Sequence, residues 1–138
     1  MQTMKIFVDT SAFIALVDAT DKHHRAAKKC YIEIIQSGNG LVSSNFVICE
    51  TLNYLRTRIS YRVSIEFRES TYKSNILEIT SVSPEIEEAA YKIFKKYKDK
   101  DFSFTDCTSF ALMERKKIKK VFSFDHHFVQ YGSFQIIP

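Results

Sequence analysis

Twice along this chain a short apolar run without alternation ends at a carboxylate. "KIFVDTSAFIALV" meets Asp9 and "KVFSFD" meets Asp125. A run such as Ile6, Phe7 and Val8, with no polar residue at every second position, suits a strand covered on both faces, the environment of parallel sheets. Thr10 and Ser11 then read as helix-starting residues ahead of the apolar run 12–17, so Asp9 falls at a strand-to-helix corner. In open α/β sheets, ligands bind at such corners, outside the carboxyl ends of the strands. Asp9 therefore has two readings, helix cap or ligand group.

The same alternation continues. "DATDKHHRAAKKCYIEIIQSGNG" predicts a break and then an amphipathic helix with Ala26, Ala27, Cys30, Tyr31 and Ile34 inward, ended by Gly38-Asn39-Gly40. "LVSSNF" predicts a second strand, and "FVICETLNYLRTRIS" a helix with Val47, Thr51, Tyr54 and Leu55 on one face and Glu50 in its opening turns. "YRVSIEFRESTYKS" predicts another helix with a weaker stripe of Val63, Phe67 and Tyr72, and "NILEIT" a third strand. In "SVSPEIEEAAYKIFKKYKDK", Ser83 suits a cap, Pro84 the first helical position, and glutamates crowd the start while lysines crowd the end. "DKDFSFTDCTSFALMERKKIKK" predicts a polar-aromatic loop and then a helix with Asp106 at or near its start and Cys107, Phe110, Ala111 and Ile118 inward. "VFSFD" and "FQIIP" supply the last strands, the second at an edge. Strands alternating with helices predict an α/β fold, a three-layer α/β/α domain with a mainly parallel central sheet.

The 138 residues contain no repeat or linker, so the expectation is a single domain over 1–138. No apolar run approaches the roughly 20 residues of a spanning helix, and the opening lacks a basic, apolar secretory pattern, so a cytoplasmic protein without membrane contact is expected. Cys30, Cys49 and Cys107 are widely spaced in apolar contexts, which predicts buried free thiols and no cysteine metal cluster. Ten of the 20 lysines and arginines lie between Lys92 and Lys120, a segment suited either to a phosphate backbone or to solvated helix faces.

Asp9 and Asp125 after strands, and Glu50 and Asp106 in opening helical turns, all fall at one edge of a parallel sheet. Four carboxylates gathered there repel, and each raises the proton affinity of the others unless cations neutralise them. Oxygen donors select Mg²⁺ or Mn²⁺, and the missing helical His-x-x-x-His and paired cysteines argue against zinc. Such a centre suits in-line displacement at phosphorus.

At these residues the chain resembles the PIN-domain ribonucleases, most of all the VapC-type toxins of toxin–antitoxin pairs. "FVDTSAFIALV", "NFVICETLNYL", "FSFTDCTSFALM" and "VFSFDHHF" resemble the four family blocks in order and place its acids at Asp9, Glu50, Asp106 and Asp125. The resemblance implies a PIN-like fold, Mg²⁺- or Mn²⁺-dependent endonuclease action on RNA, frequent homodimers and inhibition by a small antitoxin. It implies that the four acids hold the metal and that water activated there attacks the scissile phosphate. Thr10, Ser11 and Thr105 are supporting candidates, through hydrogen bonds to the acids or through local capping.

His126 and His127, adjacent in sequence, read as RNA contacts or surface residues rather than metal ligands, and Tyr61 and Tyr131 as candidates for stacking on bases. Competing enzyme classes fit less well. An aspartyl phosphatase of the haloacid dehalogenase type wants an acid where Ser11 stands, a receiver domain wants one at Thr10, and a phosphate loop wants glycines that are absent. The remaining alternatives are an inert PIN-like RNA-binding or scaffold module, and a PIN nuclease that processes RNA without an antitoxin.

Overall fold

The computed structural model describes residues 4–138; residues 1–3, part of the expected domain span, lie outside the described residues. β1 (Lys5–Val8) leads into α1 (Thr10–Val17) and α2 (His24–Gln36). β2 (Gly40–Ser44) leads into α3 (Asn45–Arg58) and α4 (Tyr61–Lys73), and β3 (Leu77–Thr80) into α5 (Pro84–Lys96) and α6 (Phe104–Lys116). β4 (Lys120–Phe122), α7 (His127–Tyr131) and β5 (Gln135–Ile137) complete the fold.

The sheet order is β3-β2-β1-β4-β5, and all four neighbouring pairs are parallel. The expected α/β/α arrangement is thus observed. Two crossovers move outward from β1 to β3 and the third returns past β1 to β4, so right-handed connections put α1–α4 on one face and α5–α6 on the other. Phe7 and Val8 on β1, Val42 on β2 and Val121 and Phe122 on β4 are fully buried, as the unalternating runs require. On the α6 face, Phe110 packs edge-on against Phe102 and Phe128 with ring centroids 5.1 Å apart in each case.

α6 is buried continuously from Asp106 to Met113. Only an all-round buried helix tolerates the sequence Cys107, Thr108, Ser109, Phe110 without a polar stripe. Ser83 caps α5 and Pro84 holds its first turn, as expected.

Several inward assignments are corrected. Ala26 is exposed, because the buried stripe of α2 is Ala27, Cys30 and Ile34. Tyr54 and Tyr72 are exposed, and the buried face of α4 runs through Ser64, Phe67 and Thr71 with Val63 at its margin. Small hydroxyl side chains bond back to their own helix there, Ser64 to Tyr61 O and Thr71 to Arg68 O, which lets polar residues face the core. Cys49 is exposed, unlike Cys30 and Cys107. The short α7 was hidden in sequence by its length.

The basic segment is divided. Lys116, Lys117 and Lys119 gather with Met4 and Lys5 at the amino ends of the strands, away from the acids. The lysines that close α5 lie by the start of α6, where Phe94 meets Phe104 at 5.9 Å.

Candidate active site

Each acid is delivered by a local structural reason. Asp9 follows the last residue of β1 and caps α1, its backbone N–H continuing the β1–β4 ladder to Phe122 O at 3.1 Å. Its Oδ2 accepts from Ser11 Oγ at 2.9 Å and Ser123 Oγ at 3.0 Å. Ser44 ends β2 and caps α3, which sets Glu50 two turns into that helix, half-buried. Ser103 and Asp106 form a reciprocal capping box at α6, in which Ser103 Oγ accepts from Asp106 N and Asp106 Oδ2 accepts from Ser103 N, both at 3.0 Å. Asp125 lies three residues past β4, in the turn that starts α7, and its Oδ1 accepts from His127 N at 2.9 Å.

The four sequence-predicted acids therefore converge at the carboxyl ends of β1, β2 and β4. Their proximity is expressed in their proton affinities. Burial, reinforced by the charges of Asp106 and Asp125 and opposed by the two serines, raises Asp9 from 3.8 to about 7. Glu50 is raised by burial and by the same two aspartates, with the Thr10 hydroxyl partly offsetting them. Asp106 is raised by burial and by Asp125, against the Ser103 N–H and His127.

The supporting candidates separate. Ser11 holds Asp9 and also accepts from Phe124 N at 2.9 Å, tying the β1 corner to the β4 corner. Thr10 Oγ1 is buried beside Glu50 without a well-formed hydrogen bond. Orientation of the α6 turn belongs to Ser103, whereas Thr105 lines a groove of about 440 Å³ with Asn45, Phe46, Cys49, Glu50 and Asn53. An apolar groove of about 450 Å³, lined by Phe13, Tyr31, Phe67 and Leu77 among others, contains none of the acids.

Ser123 escaped the sequence reading, and His127 was misplaced by it. Ser123 is buried between the corners, donating to Asp9 while its oxygen accepts from Asp125 N at 3.0 Å. His127 is not a surface residue: its Nδ1 lies 2.8 Å from Asp106 Oδ2 and 3.3 Å from Asp125 Oδ1, without alignment for a linear hydrogen bond to either. The available signal was spacing, since Ser123 and His127 flank Asp125 by two residues on either side and so can turn back onto its backbone or carboxyl. His126 is exposed, with Nδ1 3.7 Å from Asp125 Oδ1. His23, in the break between α1 and α2, stacks on Phe124 at 4.4 Å. Tyr131 is corrected as a base-stacking candidate: it stacks on Phe110 at 4.2 Å and donates to Glu114 Oε1 at 2.7 Å.

Three aspartates share one pattern. Protein donors occupy Asp9 Oδ2, Asp106 Oδ2 and Asp125 Oδ1, while the second oxygen of each makes no hydrogen bond among the described residues. Carboxylates with one anchored and one unspent oxygen, without a cysteine among them, fit a hard divalent cation.

Together these features define a class, the α/β/α domains with a carboxylate centre at the strand ends. The chain belongs to the PIN domain family, whose model matches residues 6–133. It is 31% identical over 133 residues to the 23S rRNA-specific endonuclease VapC20 of Mycobacterium tuberculosis, covering 96% of this chain and 98% of that one. The crystal structure of VapC20, described as a Sarcin-Ricin loop cleaving toxin, superposes with a TM-score of 0.86 at 30% identity over 96% of this chain and 99% of that one. Ribonuclease VapC26 of the same organism is 29% identical over 96% of this chain and all of its own length. A toxin–antitoxin complex from Klebsiella pneumoniae shares the fold, with a TM-score of 0.68 at 15% identity over 96% of each chain.

Proposed function

We propose that this protein is a metal-dependent endoribonuclease, acting as one PIN-like domain and serving as the toxin of a type II toxin–antitoxin pair. One observation carries the reading: three aspartates, brought from β1, α6 and the β4–α7 turn, each keep one oxygen anchored by protein donors and one unspent. The likeness to VapC20 and VapC26 over nearly the whole chain supports the reaction class.

Asp9, Glu50, Asp106 and Asp125 hold the cation, Mg²⁺ or Mn²⁺, which when bound neutralises their mutual repulsion and supplies water activation and charge stabilisation at phosphorus. Ser11 and Ser123 fix the Asp9 carboxyl, and Ser103 fixes that of Asp106, so both acids are oriented before substrate arrives. Thr10 supports Glu50, and Thr105 with Asn45 and Asn53 lines the groove beside it, where an RNA strand can lie. In the reaction, a water oxygen bonds to phosphorus and one ester P–O bond breaks, cutting the strand.

Because VapC20 acts on 23S rRNA, ribosomal RNA is the first substrate to test. Because it is a toxin, a small antitoxin is the expected partner, and a homodimer is the expected assembly. Purified protein incubated with total RNA in Mn²⁺ or Mg²⁺ is expected to give discrete new ends, absent with EDTA and absent in Asp106→Asn. Unchanged cleavage by that variant refutes the site, and no cleavage of any RNA by folded protein supports the inert binding module.

A further inference from the structure

His127 enters the acid cluster without being one of the four acids. Its ring is 16% exposed, held edge-on to Phe102 at 5.6 Å and packed against His126 at 4.6 Å. It addresses Asp125 Oδ1 twice, through its backbone N–H at 2.9 Å and its ring Nδ1 at 3.3 Å. The same Nδ1 lies 2.8 Å from Asp106 Oδ2, which also receives the Ser103 N–H. Nδ1 is buried without an aligned hydrogen bond to either oxygen, and because a bare lone pair would be repelled by two carboxylates, it carries the ring proton.

We propose that His127 is a positioning residue whose Nδ1–H ties Asp106 to Asp125 and thereby turns the second oxygen of each toward a shared divalent cation. The inference rests on the metal-site reading above. Asp106 is fixed by the first turn of a buried helix, but Asp125 sits in a turn outside the sheet. Two like-charged groups, one rigid and one on a turn, separate unless positive charge stands between them. The protonated Nδ1 of His127 stands there, 2.8 Å from Asp106 Oδ2 and 3.3 Å from Asp125 Oδ1. Starting α7 directly after the turn, it has a backbone that fixes where its ring stands. The proposed role is distinct from metal ligation, for which Asp125, His126 and His127, with ligand atoms within 4.8 Å of one another, are the competing arrangement.

The test is Mn²⁺ binding, followed by electron paramagnetic resonance in the wild-type protein, His127→Leu, His127→Asn and His127→Gln, with urea midpoints measured beside it. Asparagine puts an amide nitrogen where Nδ1 stands, and glutamine puts one where Nε2 stands. His127→Leu is expected to weaken Mn²⁺ binding by about ten-fold or more, with His127→Asn recovering most of the loss and His127→Gln little of it. Pulsed spectra of bound Mn²⁺ should show no directly coordinated nitrogen. Wild-type affinity in His127→Leu overturns the proposal, as does equal weakness in the Asn and Gln variants. A coordinated-nitrogen signal lost in His127→Leu also overturns it, by making His127 a ligand. Should the Leu variant not fold, the Asn and Gln pair decides alone. A wild-type protein that binds no Mn²⁺ refutes the metal-site reading and this one with it.

Discussion

Replacing Asp9 by Asn should make the metal-free protein more stable, and increasingly so as pH rises. Asp9 is 3% exposed, and burial with two neighbouring negative charges raises it from 3.8 to about 7. A group whose folded-state proton affinity is raised binds more protons folded than unfolded, so its contribution is full below 3.8 and is lost as pH climbs through about 7. At about 1.4 kcal/mol per tenfold change in affinity, the whole loss is about 4 kcal/mol, of which about 2–3 kcal/mol falls between pH 5 and pH 8. Asparagine keeps an acceptor for Ser11 and Ser123 but never ionises. In EDTA, Asp9→Asn should gain on the wild type by about 2–3 kcal/mol between these two pH values, or about 10 °C in Tm for a domain of this size. Adding Mn²⁺ at pH 8 should then stabilise the wild type and leave the variant unmoved. Parallel stability curves for the two proteins from pH 5 to pH 8 would refute the argument that burial, with Asp106 and Asp125 beside it, holds up the proton affinity of Asp9.

Ser123→Ala removes a donor from Asp9 and strands the Asp125 N–H, so it should cost about 1–3 kcal/mol in urea denaturation and lower cleavage further than that loss explains. Phe110→Ala empties the centre of the aromatic cluster shared with Phe102, Phe128 and Tyr131; a loss of about 3–5 kcal/mol should appear as a steep fall in Tm. Of the three thiols, only exposed Cys49 should react with Ellman's reagent in native protein, because burial pushes Cys30 and Cys107 up to about 11. Titration of three thiols without denaturant would contradict the packing around α2 and α6.

The fold was legible where chemistry repeats. Unalternating runs at Ile6–Val8 and Val121–Phe122 announced buried parallel strands, and Ser83-Pro84 announced α5. Glu50, Asp106 and Asp125 were legible as a set with Asp9 because Asp9 and Asp125 follow apolar strand runs while Glu50 and Asp106 stand in the opening turns of helices. The groups that orient them were not. Ser123 bonds Asp9 across a separation of 114 residues because β4 pairs with β1, and His127 meets Asp106 because the chain from α6 through β4 folds back at α7. Such partners are products of register, which no local pattern encodes. Ala26 and Tyr54 were misplaced because a helical face about 100° wide leaves its margins undecided by spacing alone. Thr105 was credited with orienting Asp106 for lying next to it, whereas the capping geometry reaches back to Ser103.

The Ser123–Asp9 bond also has a kinetic meaning. It joins the first and fourth strands in chain order, so forming it requires closing a loop that encloses nearly every other element, the slowest kind of contact for a folding chain to make. Before β4 docks, Asp9, Glu50 and Asp106 can already stand on finished secondary structure, yet Asp125 and the Ser123 and His127 groups that organise the acids are missing. A chain in which β4 has not docked on β1 therefore lacks the complete acid cluster, and Asp125, Ser123 and His127 enter it in a single late event. Whatever peels β4 from β1 takes all three away together, and breaks the Asp9 N–H bond to Phe122 O as it does so.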